Sequence, residues 1–258
     1  MNRIILILPA AAVVLAAQTF EVAAIKPSAP GLRGDSITTP GAGTLRASGA
    51  TLKNLIASAW HIENFQISGG PGWISTDRFD VNARAGSPVP GPQLRPMLQA
   101  LLADRFSLKT HMETRTLPMY DLVLAKNGPK LARPKDAVCP DPPRPRQSCG
   151  GLSMSNRSHI YGEQAPVSDL IDLLKVALGR NIEDKTGLTA KYDIQLNWTP
   201  DETLFPGIGS ERPDAPVPEL DGTSLFTALQ EQLGLKLEAR KGPVEVIVID
   251  HAEKPGTN

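Results

Sequence analysis

Lys191-Tyr192-Asp193-Ile194-Gln195-Leu196-Asn197-Trp198 alternates strictly between polar and apolar residues. Arg78-Phe79-Asp80-Val81-Asn82-Ala83-Arg84 does the same. A β-strand sends successive side chains to opposite faces, so each stretch reads as a strand with one buried and one solvated face. The two also correspond to each other: Phe79-Asp80-Val81 answers Tyr192-Asp193-Ile194. That correspondence organises the rest of the chain.

A helical pattern precedes each strand. Leu52, Leu55, Ile56, Ala59 and Trp60 lie ahead of the first, and Val167, Leu170, Ile171, Leu174, Ala177 and Leu178 ahead of the second. Another helical pattern follows each: Leu94, Met97, Leu98, Leu101 and Leu102 after the first, and Leu225, Phe226, Leu229 and Leu233 after the second. All share the i, i+3, i+4, i+7 spacing that puts apolar groups on one helix face. Thr51 and Thr223 are expected N-caps, and Pro166 suits a first helical turn. Beyond the later helices, Ser107–Met112 and Tyr120–Leu124 read as strands around a turn near Leu117-Pro118. Gly234–Glu238 and Val244–Ile249 read likewise around Gly242-Pro243. Val244–Ile249 is apolar on both faces and belongs in the middle of a sheet.

The pattern predicts an α+β fold: a duplicated helix–strand–helix–hairpin module, with antiparallel sheets and helices packed on one face. The copies span residues 44–132 and 151–254. A Pro-rich loop at 133–150 separates them and contains Cys139 and Cys149. Residues 199–221 read as a long surface loop, 18–43 as an N-terminal strand (Phe20–Ile25) with its connector, and 255–258 as a tail.

The first 17 residues have the grammar of an export signal. Arg3 supplies a positive start, Ile4–Leu15 an apolar run broken by Pro9, and Ala16-Ala17 small residues for cleavage. The run is shorter than the ~20 residues of a membrane span, so no integral span is expected after cleavage. A periplasmic or secreted location follows as an expectation. In that setting Cys139 and Cys149 are expected to form a disulfide, contributing about 2–3 kcal/mol by loop closure.

The chain of 258 residues carries 27 basic and 27 acidic side chains, which argues against general polyanion binding, nucleic acid included. His61, His111, His159 and His251 fall in no metal-ligating spacing. No Gly-x-Ser-x-Gly elbow or phosphate-binding loop occurs. No residue is therefore assigned a catalytic, cofactor or metal role. The candidate binding surface is the polar strand face, with Arg78, Asp80, Arg84, Lys191 and Asp193, together with Trp73 beside Gly69-Gly70-Pro71-Gly72. Trp73 is expected to fold back on the core.

Several motifs carry a resemblance: Phe20-Glu21-Val22-Ala23-Ala24-Ile25-Lys26-Pro27-Ser28, Ile67-Ser68-Gly69-Gly70-Pro71-Gly72-Trp73, Leu101-Leu102-Ala103-Asp104-Arg105-Phe106, Asp184-Lys185-Thr186-Gly187-Leu188-Thr189, and the run Leu225–Leu237. Together they resemble a soil-associated family of uncharacterised exported bacterial proteins, classed as a domain of unknown function. The resemblance implies export and supplies no activity. Related domains fused to antibiotic-sensing membrane metallopeptidases suggest sensing outside the cytoplasm. The expected function is a non-enzymatic binding, sensing or interaction module, its partner an envelope protein or a small extracellular ligand. A hydrolase or metal-dependent enzyme with an unfamiliar site, and a structural envelope component, are the alternatives.

Overall fold

The computed structural model describes residues 19–31, 34–134, 150–201, 203–206 and 222–256. The expected signal peptide, the Cys139–Cys149 pair and most of the 199–221 loop lie outside the described residues. In chain order the elements are β1 (Val22–Pro27), β2 (Ser36–Gly41), β3 (Thr44–Thr51), α1 (Leu52–Trp60), β4 (Ile67–Gly69), β5 (Arg78–Arg84), α2 (Leu94–Arg105) and β6 (Lys109–Leu124). They continue with β7 (Ser153–Ser155), β8 (His159–Pro166), α3 (Val167–Leu178), β9 (Ile182–Asp184), β10 (Lys191–Asn197), α4 (Leu225–Ala228) and β11 (Leu235–His251). Mixed helices and sheets make this an α+β protein.

The chain divides into two compact units. Among the described residues, the first holds those up to His61, Gly72–Lys109 and those from His251 onward. Its sheet has the order β1-β5-β3-β2, with every neighbouring pair antiparallel. Strand β5 buries Phe79, Val81 and Ala83, as its alternation requires. Helix α1 buries Leu52, Leu55, Ile56 and Ala59, and α2 buries Leu94, Met97, Leu98, Leu101 and Leu102. Each large side chain so buried contributes about 1.5–3 kcal/mol relative to exposure. The expected cap is present: Thr51 Oγ1 accepts the Asn54 N–H at 3.2 Å. Phe106, fully buried, meets Phe79 edge-on with ring centroids 5.2 Å apart.

The second unit holds Ile62–Pro71 and the described residues of Thr110–Asp250. Its two sheets have the orders β10-β8-β7 and β4-β11-β6-β9. One apolar cluster joins Leu170 and Leu174 of α3, Ile194 and Leu196 of β10, Leu225 and Ala228 of α4, and Leu122 and Leu235 of the long strands. Ser224, not Thr223, caps α4, its side chain accepting the Thr227 N–H. Pro166 stands at the N-cap of α3, one residue before the helix. Helix α4 widens into a π turn, Leu229–Leu233, and ends on Gly234 at φ 65°. A Cβ on Gly234 would lie 2.0 Å from the Gly128 carbonyl oxygen, so only glycine fits there.

The expected hairpins are corrected. β6 and β11 each run unbroken through the anticipated turns and neighbour each other in one sheet. The Ala125 N–H donates to the Gly234 carbonyl at one end, and His111 faces Asp250 at the other, so the two strands run antiparallel. The prolines explain the misreading. The Tyr120 N–H and Leu122 C=O bond to the β9 segment, so Pro118, two residues earlier, turns its missing donor to that same side. The Glu245 carbonyl accepts from Gln66, ahead of β4, so Pro243 likewise faces away from β6. Neither proline interrupts the β6–β11 ladder, and proline is tolerated in a strand at such a position. The sheet is also not purely antiparallel: β4 pairs with β11, and β9 with β6, in parallel. As expected, β11 is an inner strand, with Val244, Val246, Ile247 and Ile249 buried.

Candidate functional site

The inward residues of β5 leave Arg78, Asp80, Asn82 and Arg84 on the other face. Ala47 pairs with Val81 and Ala50 with Phe79, so Ser48 and Gly49 together oppose the single residue Asp80. That two-against-one count is a β-bulge. Gly49 takes φ 65°, which turns its N–H out of the ladder. Asp80 Oδ1 accepts this N–H at 3.0 Å and the Ser28 hydroxyl at 2.7 Å. The Ser28 hydrogen bond, then the Gly49 N–H, hold the Asp80 carboxyl below its usual range, with a smaller contribution from the charge of Lys26. Arg78 Nη1 donates to the carbonyls of Gly49 at 2.8 Å and Gly34 at 2.9 Å. Arg78 and Asp80 therefore clamp the bulge from both ends of Gly49.

The second unit repeats this arrangement. Gly162 pairs with Ile194 and Ala165 with Tyr192, leaving Glu163 and Gln164 opposite Asp193. Gln164 has φ 53°, and its N–H donates to Asp193 Oδ1 at 3.0 Å. Asp193 also donates its own N–H to the Ala132 carbonyl at 3.0 Å. Lys191 is exposed at the start of β10, and Arg84 at the end of β5.

Trp73 stacks on Phe106 at 6.4 Å and meets Phe79 at 6.3 Å, with Lys254 Nζ 5.9 Å from the centre of its ring. Lys254 is also paired with Asp77 at 2.7 Å. The indole is thus committed to the core of the first unit. The histidines have separate local settings. His61 ends α1 at φ 54°, His111 faces Asp250 at 2.9 Å, His159 stacks on Tyr161 at 4.8 Å, and His251 meets Glu253 at 3.0 Å. Among the described residues, no group of three or more His, Cys, Asp or Glu side chains is placed to hold a metal ion.

A groove lies over each bulged sheet. The first, about 660 Å³, is lined by Lys26, Ser36, Thr38, Arg46, Asp80 and Asn82, among others. The second, about 470 Å³, is lined by Lys130, Tyr161, Glu163, Asp193, Gln195 and Gln232, among others. Both fall in the size range of small-molecule sites. Of the residues expected to form a surface, only Asp80 and Asp193 line a groove. Arg46 and Lys26 were missed, although Arg46 between Leu45 and Ala47 carries the same alternation signal as β5. Ser36 and Thr38 were hidden in a stretch read as an irregular connector.

The geometry defines an α+β protein of two compact units, each with a bulged sheet whose outer face carries a groove. The chain belongs to the family described as protein of unknown function (DUF3738), whose model matches residues 53–252. No curated protein and no solved structure matches it. No helix among the described residues is long and apolar enough to cross a membrane.

Proposed function

We propose that this is a non-enzymatic binding module that works outside the cytoplasm and arose by duplication of one β-β-α-β-β-α-β unit. The observation that carries the reading is the recurrence of the bulge: an aspartate on the neighbouring strand holds the left-handed residue in both sheets, and both sheets bear a groove. The element order from β2 to β6 recurs from β7 to β11, and the sheet order β5-β3-β2 recurs as β10-β8-β7. The buried helix stripes in each half support helices packed on one sheet face. The N-terminal signal grammar supports export, and export would favour a disulfide between Cys139 and Cys149. Within this reading the binding surfaces are the outer sheet faces, with Asp80 and Asp193 as their structural centres. Arg78 and Trp73 act as scaffold, while Arg84 and Lys191 stand at the margins.

Amine labelling tests both parts. Protein recovered in its native envelope fraction is compared with the purified chain, reading Lys26, Lys130 and Lys191 against Lys126 in an exposed loop. Selective protection of Lys26, Lys130 and Lys191 in the native fraction is expected. Equal labelling of all four would overturn the binding reading. Retention of the protein in the cytoplasmic fraction would overturn the location.

A further inference from the structure

Taking the binding reading as its basis, we propose that the groove of the first unit is a receptor for a small hydroxylated organic anion of the sugar-acid type, with Arg46 as its principal contact. The outer face of this sheet is unbalanced in charge. Lys26, Arg46 and Arg84 project from it, against the single carboxylate of Asp80. None of the three cations forms a direct ion pair among the described residues. Asp80 stands opposite Lys26, but its carboxylate is committed to Ser28 and to the bulge.

The register brings Arg84, at the margin of the groove, close to Arg46 in its lining. Arg46 pairs with Asn82, and Arg84 is two residues further along β5 on the same face. Such diagonal neighbours lie about 7–8 Å apart between Cα atoms. Like charges so placed repel unless an anion sits between them. A guanidinium presents a planar fork of donors that matches a carboxylate with two parallel hydrogen bonds. Lys26 adds a point charge on the far side of β5.

The rest of the lining selects among anions. Ser36, Thr38 and Ser48 supply hydroxyls, and Asn82 an amide, each of which can both donate and accept. These groups suit the alcohols of a polyol chain or sugar ring. Among the outward-facing residues of the lining, Ala24 is the one apolar side chain. The second unit's groove differs: Lys130 there shares the space with Glu163 and Asp193, and Lys130 Nζ already donates to the Glu231 carbonyl at 2.8 Å. The sugar-acid site is therefore assigned to the first unit.

Calorimetric titration of the full chain with digalacturonate, neutral digalactose and inorganic phosphate tests the assignment. Digalacturonate is expected to bind, weakening as salt is added, while digalactose gives no heat. Arg46→Gln is expected to weaken binding about tenfold or more, and Lys26→Gln by less. Lys126→Gln, in an exposed loop of the second unit, is expected to leave it unchanged. Circular dichroism confirms that the variants, all at exposed positions, remain folded. Binding that is equal in Arg46→Gln and wild type overturns the site. Equal binding of digalactose, or of phosphate alone, overturns the ligand class. If none of the three binds while Lys26 stays protected in the envelope fraction, the sugar-acid assignment falls and the binding reading stands.

Discussion

The sheets built on β5 and β10 share a backbone device and differ in how firmly it is held. In the first, glycine occupies the left-handed position and three side chains, Asp80, Ser28 and Arg78, fasten it. In the second, a glutamine is forced to φ 53° and Asp193 alone bonds its N–H. The Gln164 Nε2 is also buried without a hydrogen-bond partner among the described residues. A non-glycine residue in this conformation costs about 1–2 kcal/mol, and an orphaned buried donor adds to that. The difference shows that bulge geometry is specified by the carboxylate across the strand, and that glycine only lowers its cost.

The largest effect should come from removing that carboxylate. Asp80→Ala strands two donors and is expected to destabilise by about 2–3 kcal/mol in chemical denaturation, against about 1 kcal/mol for Asp193→Ala, which strands one. Equal losses would break the comparison. Next come substitutions at the left-handed residues, which should have opposite signs. Gly49→Ala is expected to cost about 1 kcal/mol, and Gln164→Gly to stabilise by up to about 1 kcal/mol, read as shifts in melting temperature. Destabilisation by Gln164→Gly would mean that its side chain makes up for the backbone strain.

Titration sharpens the contrast further. Asp80 has a folded pKa below its ordinary 3.8, so the folded state binds that proton less readily than the unfolded chain. The stability it supplies is present above pH 3.8 and lost as the pH falls through the lower, folded value. Asp80→Asn should flatten that acid limb. Glu63, in the second unit, behaves oppositely. Burial, then the nearby Asp172 charge, raise its pKa above 4.5, partly offset by Lys175. Stability should fall as the pH rises from 4.5 through the raised value, and Glu63→Gln should remove that slope. The smallest effect expected is Ser28→Ala, at about 0.5–1 kcal/mol, since Gly49 still bonds Asp80. Urea midpoints measured across a pH series separate all of these.

The helices and the two alternating strands were legible because burial imposes a period on them, and Thr51 announced its cap. The short strands β4, β7 and β9 were not, because three residues carry no period and are defined only by what they pair with. β8 was missed for a related reason: Gly162 and Ala165, small and weakly apolar, fill two of its inward positions. The candidate site was half visible. The matching aspartates stood out in the sequence, but their role depends on a neighbouring strand's extra residue, which no local pattern in β5 or β10 can reveal. Arg46 and Lys26 meet Asp80 and Asn82 only through register.

Pro118 and Pro243 have a consequence beyond chain direction. A ribbon of strands 16 and 17 residues long offers each flank as a template on which a stray chain could zip up. Among the described residues, β9 and β4 each pair with three residues of those flanks. Beside each covered stretch stands a proline whose nitrogen offers no hydrogen to an incoming strand. The ribbon thus gains its length while each flank carries a built-in stop against fibre growth.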